Sequence, residues 1–223
     1  MSSLRDLVSR YEVVLLDTSV IFSSLQFKKK IHASVKEETE KYDAHLKSII
    51  YFLRLFEDEN LQVIPEVVKE LPHFTSTNFC RGRNLNGETL DFQRKVMEFT
   101  NYVGKLTRMI TKKERVICFS KQEKDIYSRF ANDFDYLKRN PPEGYKLSDT
   151  DLKLFVAGVA TAETRGSSLI VSNDIGIMRA WADFLTGNSL SYRNCGFALR
   201  PTFFEFTLQN NHDVVENGKR RSY

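Results

Sequence analysis

The segment "VVLLDTSV", residues 13–20, constrains this chain more than any other. Four apolar residues, Val13 to Leu16, run without a break into Asp17, and two hydroxyls, Thr18 and Ser19, follow. A short unbroken apolar run, β-branched in part, reads as a strand buried on both faces. A carboxylate at the end of such a strand must be hydrogen-bonded, paired with a basic side chain or holding a cation, because burying it bare is costly. No basic residue stands near Asp17 in the sequence.

Similar runs recur. "LQVI" (61–64) and "SSLIVS" (167–172) read as two more strands, and "FALRPTFFEFTLQ" (197–209) as the source of one further strand and a short helix. Helical spacing lies between them. A short helix is expected from Ser19 to Leu25, and a longer one within 28–60, where apolar residues recur at 46, 49, 50, 53 and 56. Another starts at Pro65, a good first helical position, and Pro72 is expected to end it. Two more cover 88–113 and 120–138, with "RVICF" (115–119) between them open as a strand or a buried helical turn. The helix over 148–166 has an N-cap in Ser148 and a stop in Gly166, and a last one follows Asp174. "TSTNFCRGRNLNGET" (75–89) and "NPPEGYKL" (140–147) have loop composition.

Strands alternating with helices predict an α/β fold with a mainly parallel sheet. Residues 1–74 and 147–210 are expected to form that sheet domain, 75–146 a helical insertion, and 211–223 a flexible polar tail. The 223 residues suffice for one such domain with an elaboration. The apolar stretch "LFVAGVATA" (154–162) is too short to span a bilayer, and the charged "MSSLRDLVSRYE" is unlike a signal peptide, so no membrane association is expected. Cys80, Cys118 and Cys195 are scattered and odd in number, which suits a reducing, cytoplasmic setting, and no Cys/His spacing fits zinc.

Charge is unevenly spread. The segment from Arg81 to Arg139 holds 14 Lys and Arg against 8 Asp and Glu, an excess of six positive charges in a chain whose net charge is +4. A basic lobe beside a slightly acidic body suits a protein that grips phosphates, with Arg108, Lys112 and Lys113 as candidate contacts; ordinary solvated helix faces are the plainer alternative.

Ligands of open parallel sheets bind at the C-terminal ends of the strands. Acids recur there: Asp17 ends the first strand, Asp174 follows "LIVS", Glu70 lies in the helix after "LQVI", and Asp149 and Asp151 lie in the first turn of the helix beginning near Ser148. Each also has a plain structural reading. Asp17 and Asp174 suit helix caps, Ser148 and Asp151 have capping-box spacing, Asp149 suits a helix dipole, and Glu70 could pair with Lys69 or His73. Several carboxylates converging in one cleft would instead repel one another unless a cation neutralised them. Mg²⁺ and Mn²⁺ take such oxygen ligands and can activate water against a phosphodiester.

Four segments in order, "VVLLDTSVI", "VIPEVVKEL", "LSDTDLKLFVAGVA" and "LIVSNDIGI", together resemble a PIN-domain ribonuclease. That resemblance implies a PIN-like parallel sheet, Mg²⁺ or Mn²⁺ as cofactor, RNA as substrate, and Asp17, Glu70, Asp151 and Asp174 as the catalytic acids. Asp149 would join Asp17, Asp151 and Asp174 at the metal. Glu70 is favoured over Glu66 because it lies nearer the buried helix face and precedes Leu71. Ser172 stands where the family often has threonine. The long helical segment, "DTSV" and "VSND" followed by "WADF" look similar to the small protein-only RNase P branch of the Aquifex type. That branch implies precursor tRNA as partner, gripped by the basic segment, and a homo-oligomer is the expected assembly. A toxin-type endoribonuclease is a second enzymatic reading, and an inactive PIN-like module that binds RNA or protein is the rival from another class. A HAD-type phosphatase is excluded by Ser19, where a second Asp would be required, and a phosphate-cradling P-loop by the lack of a Gly-rich run ending in Lys.

Overall fold

The computed structural model describes residues 4–22, 35–77, 90–126, 128–129, 139–140, 147–174, 176–177, 179–180, 195–199 and 215–216. Most of the loops expected at 75–89 and 140–147, most of the helix expected at 120–138, and the segments 181–194 and 200–214 lie outside them.

The strands are β1 (Val13–Leu16), β2 (Leu61–Gln62), β3 (Ser168–Ser172), β4 (Cys195–Leu199) and β5 (Val215–Glu216), in the order β2-β1-β3-β4-β5. β1 pairs in parallel with β2 on one side and with β3 on the other, and β3 pairs in parallel with β4. β5 closes the edge antiparallel, opposing Ala198 and Leu199. The fold is therefore α/β with a parallel sheet, as the alternation of strands and helices implies. All four residues of β1 and all five of β3 are buried, the pattern of central strands covered on both faces. Val63 and Val116 form a parallel bridge beyond β2, so "RVICF" adds an extended edge contact there.

The helices are α1 (Leu4–Val8), α2 (Thr18–Phe22), α3 (Val35–Leu55), α4 (Pro65–Thr77), α5 (Leu90–Ile110), α6 (residues 121–126) and α7 (Asp149–Arg165), with a 3₁₀ turn at Lys113–Arg115. α7 begins with a full capping box: the Asp151 N–H donates to the Ser148 hydroxyl, and the Ser148 N–H donates to the Asp151 carboxylate. It ends at Gly166, whose φ of 103° is open to glycine and strained for other residues. Midway along α7, Gly158 lets the helix press onto the sheet. A Cβ there would sit 2.6 Å from Ile170 Cδ1 and 3.0 Å from Cys195 Sγ.

One expectation needs correction, and two observations bear on the expected tail and insertion. α4 does not end at Pro72 but runs on to Thr77. Proline withholds one helical N–H, and this helix tolerates that loss because its preceding turns are already anchored by the buried Val67 and Leu71. The expected tail is not wholly outside the fold, since Val215 and Glu216 pair with β4. The segment expected as an insertion also contributes to the common core. Phe92, Val96, Phe99, Val103, Leu106 and Ile110 line one face of α5 and join a single buried cluster with β1, β3 and α7. α5 packs along α3, where Lys95 reaches Asp43 at 2.8 Å.

Candidate active site

Strand order decides where a site can form. The chain leaves β1 for β2 on one side and returns to β3 on the other, so the crossovers diverge between the C-terminal ends of β1 and β3. Such a switch point is where open α/β sheets leave a crevice. Asp17 directly follows β1, while Ser172 ends β3 with Asp174 two residues beyond.

Asp17 is buried, with 4% of its surface exposed. Its Oδ2 accepts from the Ser172 hydroxyl at 2.7 Å and from the Ser19 hydroxyl. Burial pushes its carboxyl above the usual carboxylate range, although those hydroxyls and the backbone N–H groups of Ser19 and Thr18 act the other way. Ser19 in turn accepts from the Asn173 N–H at 3.0 Å, so α2 is tied to the end of β3.

Asp151 is pushed up to about 6. Burial is the largest cause, the hydrogen bonds from Ser148 oppose it, and the charges of Asp17 and Asp174 add to it. Carboxylates from two other junctions therefore act on Asp151, and among the described residues no basic side chain is a main cause at Asp17 or Asp151. Asp174 is exposed; its Oδ1 accepts from the Gly176 N–H at 2.6 Å and the Ile177 N–H at 3.4 Å, capping the helical residues that follow. Asp149 is exposed in the first turn of α7.

Glu70 belongs to a different arrangement. One carboxylate oxygen accepts from Thr18 Oγ1 at 2.5 Å and the other from Thr150 Oγ1 at 2.6 Å. Among the described residues these partners stand in place of Lys69, which faces Glu66 instead; the side chain of His73 lies outside them. Glu66, one turn earlier, takes Lys153 at 2.8 Å and Lys69 at 4.0 Å, so it is engaged in ion pairs.

The oxygen-only donors suit Mg²⁺ or Mn²⁺ by chemistry and charge. Among the described residues, however, no group of three or more His, Cys, Asp or Glu side chains is arranged to hold a metal ion as they stand. The carboxylates of Asp17, Asp151 and Asp174 are each turned to hydrogen-bond donors.

The basic trio stands elsewhere. Arg108, Lys112 and Lys113 are all exposed. Lys112 and Lys113 precede the Val116 bridge, and the Arg115 guanidinium reaches the carbonyls of Asp58 and Glu57 just before β2. The bridge itself lies at Val63, one residue beyond β2. Arg115 itself is buried and serves as a tie in the fold.

The hydroxyls of Ser19, Ser172, Thr18 and Thr150 were not assigned from sequence as partners of the acids. Their signal was present as Ser or Thr flanking each acid in "DTS", "SDTD" and "VSND". No helix among the described residues is long and apolar enough to cross a membrane. No family model, curated protein or solved structure matches the chain.

Proposed function

We propose that this chain is a PIN-like, Mg²⁺- or Mn²⁺-dependent ribonuclease that hydrolyses RNA phosphodiester bonds, with precursor tRNA as the first substrate to try. The observation that carries the reading is the shared field of Asp17, Asp151 and Asp174 at the switch point between β1 and β3. Burial raises the Asp17 and Asp151 carboxyls, like charge adds to it at Asp151, and a divalent cation would relieve the same repulsion. Asp17, Asp151 and Asp174 would hold the cation, with Asp149 at its margin. A bound cation of this kind supplies an activated water and stabilises charge on the phosphate.

The protein's own contribution is to aim and to exclude. Ser19 and Ser172 orient Asp17 through its Oδ2, and burial keeps bulk water from screening that carboxylate. Arg108, Lys112 and Lys113 are exposed and would hold phosphates of the RNA backbone. The scattered cysteines favour the cytoplasm, and a homo-oligomer remains the proposed assembly.

One observation favours a second reading. Asp17, Asp151 and Asp174 all accept hydrogen bonds at helix starts, which is what a capping set without a cation would do. The chain would then be a binding module. Cleavage of an RNA panel that includes precursor tRNA, with and without Mn²⁺, separates the two. The nuclease reading expects Mn²⁺-dependent cleavage, lost in Asp17→Asn. The binding-module reading expects RNA retention with no cleavage in either condition. Replacing Arg108, Lys112 and Lys113 with Gln should lower RNA affinity and flatten its salt dependence; an unchanged slope removes these residues from the interface.

A further inference from the structure

We propose that Glu70 is a positioning residue: its carboxylate clamps α2 to the first turn of α7 and so sets the spacing of Asp17 and Asp151, without itself touching a cation. The proposal rests on the metal-site reading above and changes the place of one acid within it.

The clamp is defined by its two partners. Thr18 is the residue directly after Asp17, and Thr150 is the residue directly before Asp151. Their hydroxyls donate to different oxygens of Glu70, at 2.5 and 2.6 Å. A threonine hydroxyl has one proton, and here both protons are committed to the same carboxylate in charge-assisted bonds. Three elements thus meet at one side chain: α2 through Thr18, α4 through Glu70 and α7 through Thr150. Thr18 is buried, so its bond is shielded from competing water. Among the described residues, these two hydroxyls are the hydrogen-bond partners of the Glu70 side chain. Glu70 is thus bonded to the chain neighbours of two of the acids, Asp17 and Asp151, and acts on them through those bonds.

Glutamine can make the same clamp. Its amide oxygen accepts from one threonine, and its amide N–H donates to the hydroxyl oxygen of the other. A cation ligand or a proton acceptor loses its function on that change, while a clamp keeps it. Leucine fills similar space and keeps neither bond. The Glu66–Lys153 pair at 2.8 Å is a second tie between α4 and α7, so loss of the clamp alone leaves the two helices joined.

The test compares wild type, Glu70→Gln, Glu70→Leu, Thr150→Ser and Thr150→Val in the full chain. Mn²⁺ affinity is measured by calorimetry, cleavage by kcat and KM on precursor tRNA, and amide hydrogen exchange over the first turn of α7. Glu70→Gln and Thr150→Ser should stay near wild type in all three. Glu70→Leu and Thr150→Val should weaken Mn²⁺ affinity about 10- to 100-fold, lower kcat more than they raise KM, and speed exchange at the start of α7. Loss of Mn²⁺ affinity or cleavage in Glu70→Gln overturns the proposal, even where Glu70→Leu fails to fold. If wild type neither binds Mn²⁺ nor cleaves RNA, the metal reading fails by itself. The exchange measurement then still judges the clamp: Glu70→Leu and Thr150→Val exchanging as wild type overturn it, and faster exchange rescued by Gln and Ser upholds it.

Discussion

Two helix starts in this molecule carry the same local motif, a serine followed three residues later by an acid. At α7, Ser148 and Asp151 exchange hydrogen bonds between side chains and backbone. At α6, Ser120 and Glu123 do the same: the Ser120 N–H donates to Glu123 at 2.7 Å, and the Glu123 N–H donates to the Ser120 hydroxyl at 3.1 Å. Their electrostatic fates diverge. Asp151 is raised to about 6 by burial, with the charges of Asp17 and Asp174 adding to it. Burial also acts to raise Glu123, but hydrogen bonds from Arg165 and Ser120 and the charge of Arg165 hold it below the usual carboxylate range. Arg165 Nε lies 2.8 Å from Glu123 Oε1, and Thr164 adds a hydroxyl at 3.1 Å. A capping box therefore says that a helix begins; the groups brought in by the tertiary fold say whether its acid is an anchor or a site. Glu123 has found its cation in Arg165, while the charges acting on Asp151 among the described residues are those of Asp17 and Asp174.

The strongest challenge to this contrast is Asp17→Asn. If the acids at α7 form a cation site, cleavage should fall by about three powers of ten, roughly 4 kcal/mol of barrier. The rise in melting temperature that Mn²⁺ gives wild type should vanish with it. An equal rise in both proteins would place the cation elsewhere.

Next in size is Glu123→Ala. It leaves Arg165 without its partner in a partly buried setting, and unfolding titrations should show a loss of about 3 kcal/mol. A loss below about 1 kcal/mol would make the pair an ordinary surface contact.

The two boxes should also respond to pH with opposite signs. Asp151 binds its proton more tightly folded than unfolded, so its contribution favours the folded state in acid and is lost as pH rises from about 4 to about 6. Glu123 binds its proton less tightly when folded, so its contribution is present above about 4.5 and is lost as pH falls through its lowered value. In chelator, Asp151→Asn should flatten the decline toward neutral pH, by no more than about 2 kcal/mol after allowing for partial exposure. Glu123→Gln should instead be less stable than wild type at pH 7 and approach it in acid. Denaturant unfolding across pH 3.5 to 8 reads both, and slopes of the same sign would end the comparison.

The smallest effect sharpens it from the local side. Ser120→Ala and Ser148→Ala should each cost about 1 kcal/mol, because the cap itself is alike at both ends. A large difference between them in thermal melts would mean that the caps already differ before charge is considered.

What could be read from sequence was local. β1, β3, the start of α7 at Ser148 and its stop at Gly166 follow from apolar runs, one hydroxyl and one glycine. The acids at the strand ends were visible because strand and acid adjoin in the chain. What stayed hidden depends on distance in sequence. Thr18 and Thr150 lie 52 and 80 residues from Glu70, and Arg165 lies 42 from Glu123. The continuation of α4 through Pro72 is another case, since tertiary anchoring outweighed a local breaker. Charge counting found a basic lobe but could not say that Val116, just beyond Lys112 and Lys113, would bridge to the distant Val63.

Gly158 has a consequence for anyone who maps this protein by random substitution. It lies seven residues from Asp151, about 10 Å along the helix axis, and has no chemistry to offer. Yet alanine there meets the Ile170 and Cys195 side chains in the buried core, so those side chains must move aside or the middle of α7 must lift from the sheet. Lifting a stiff rod shifts its tip, and the tip carries Asp149 and Asp151. In a screen scored by lost cleavage, position 158 would rank with the acids themselves. Only a counter-screen for correctly assembled protein would show it to be a fault in alignment.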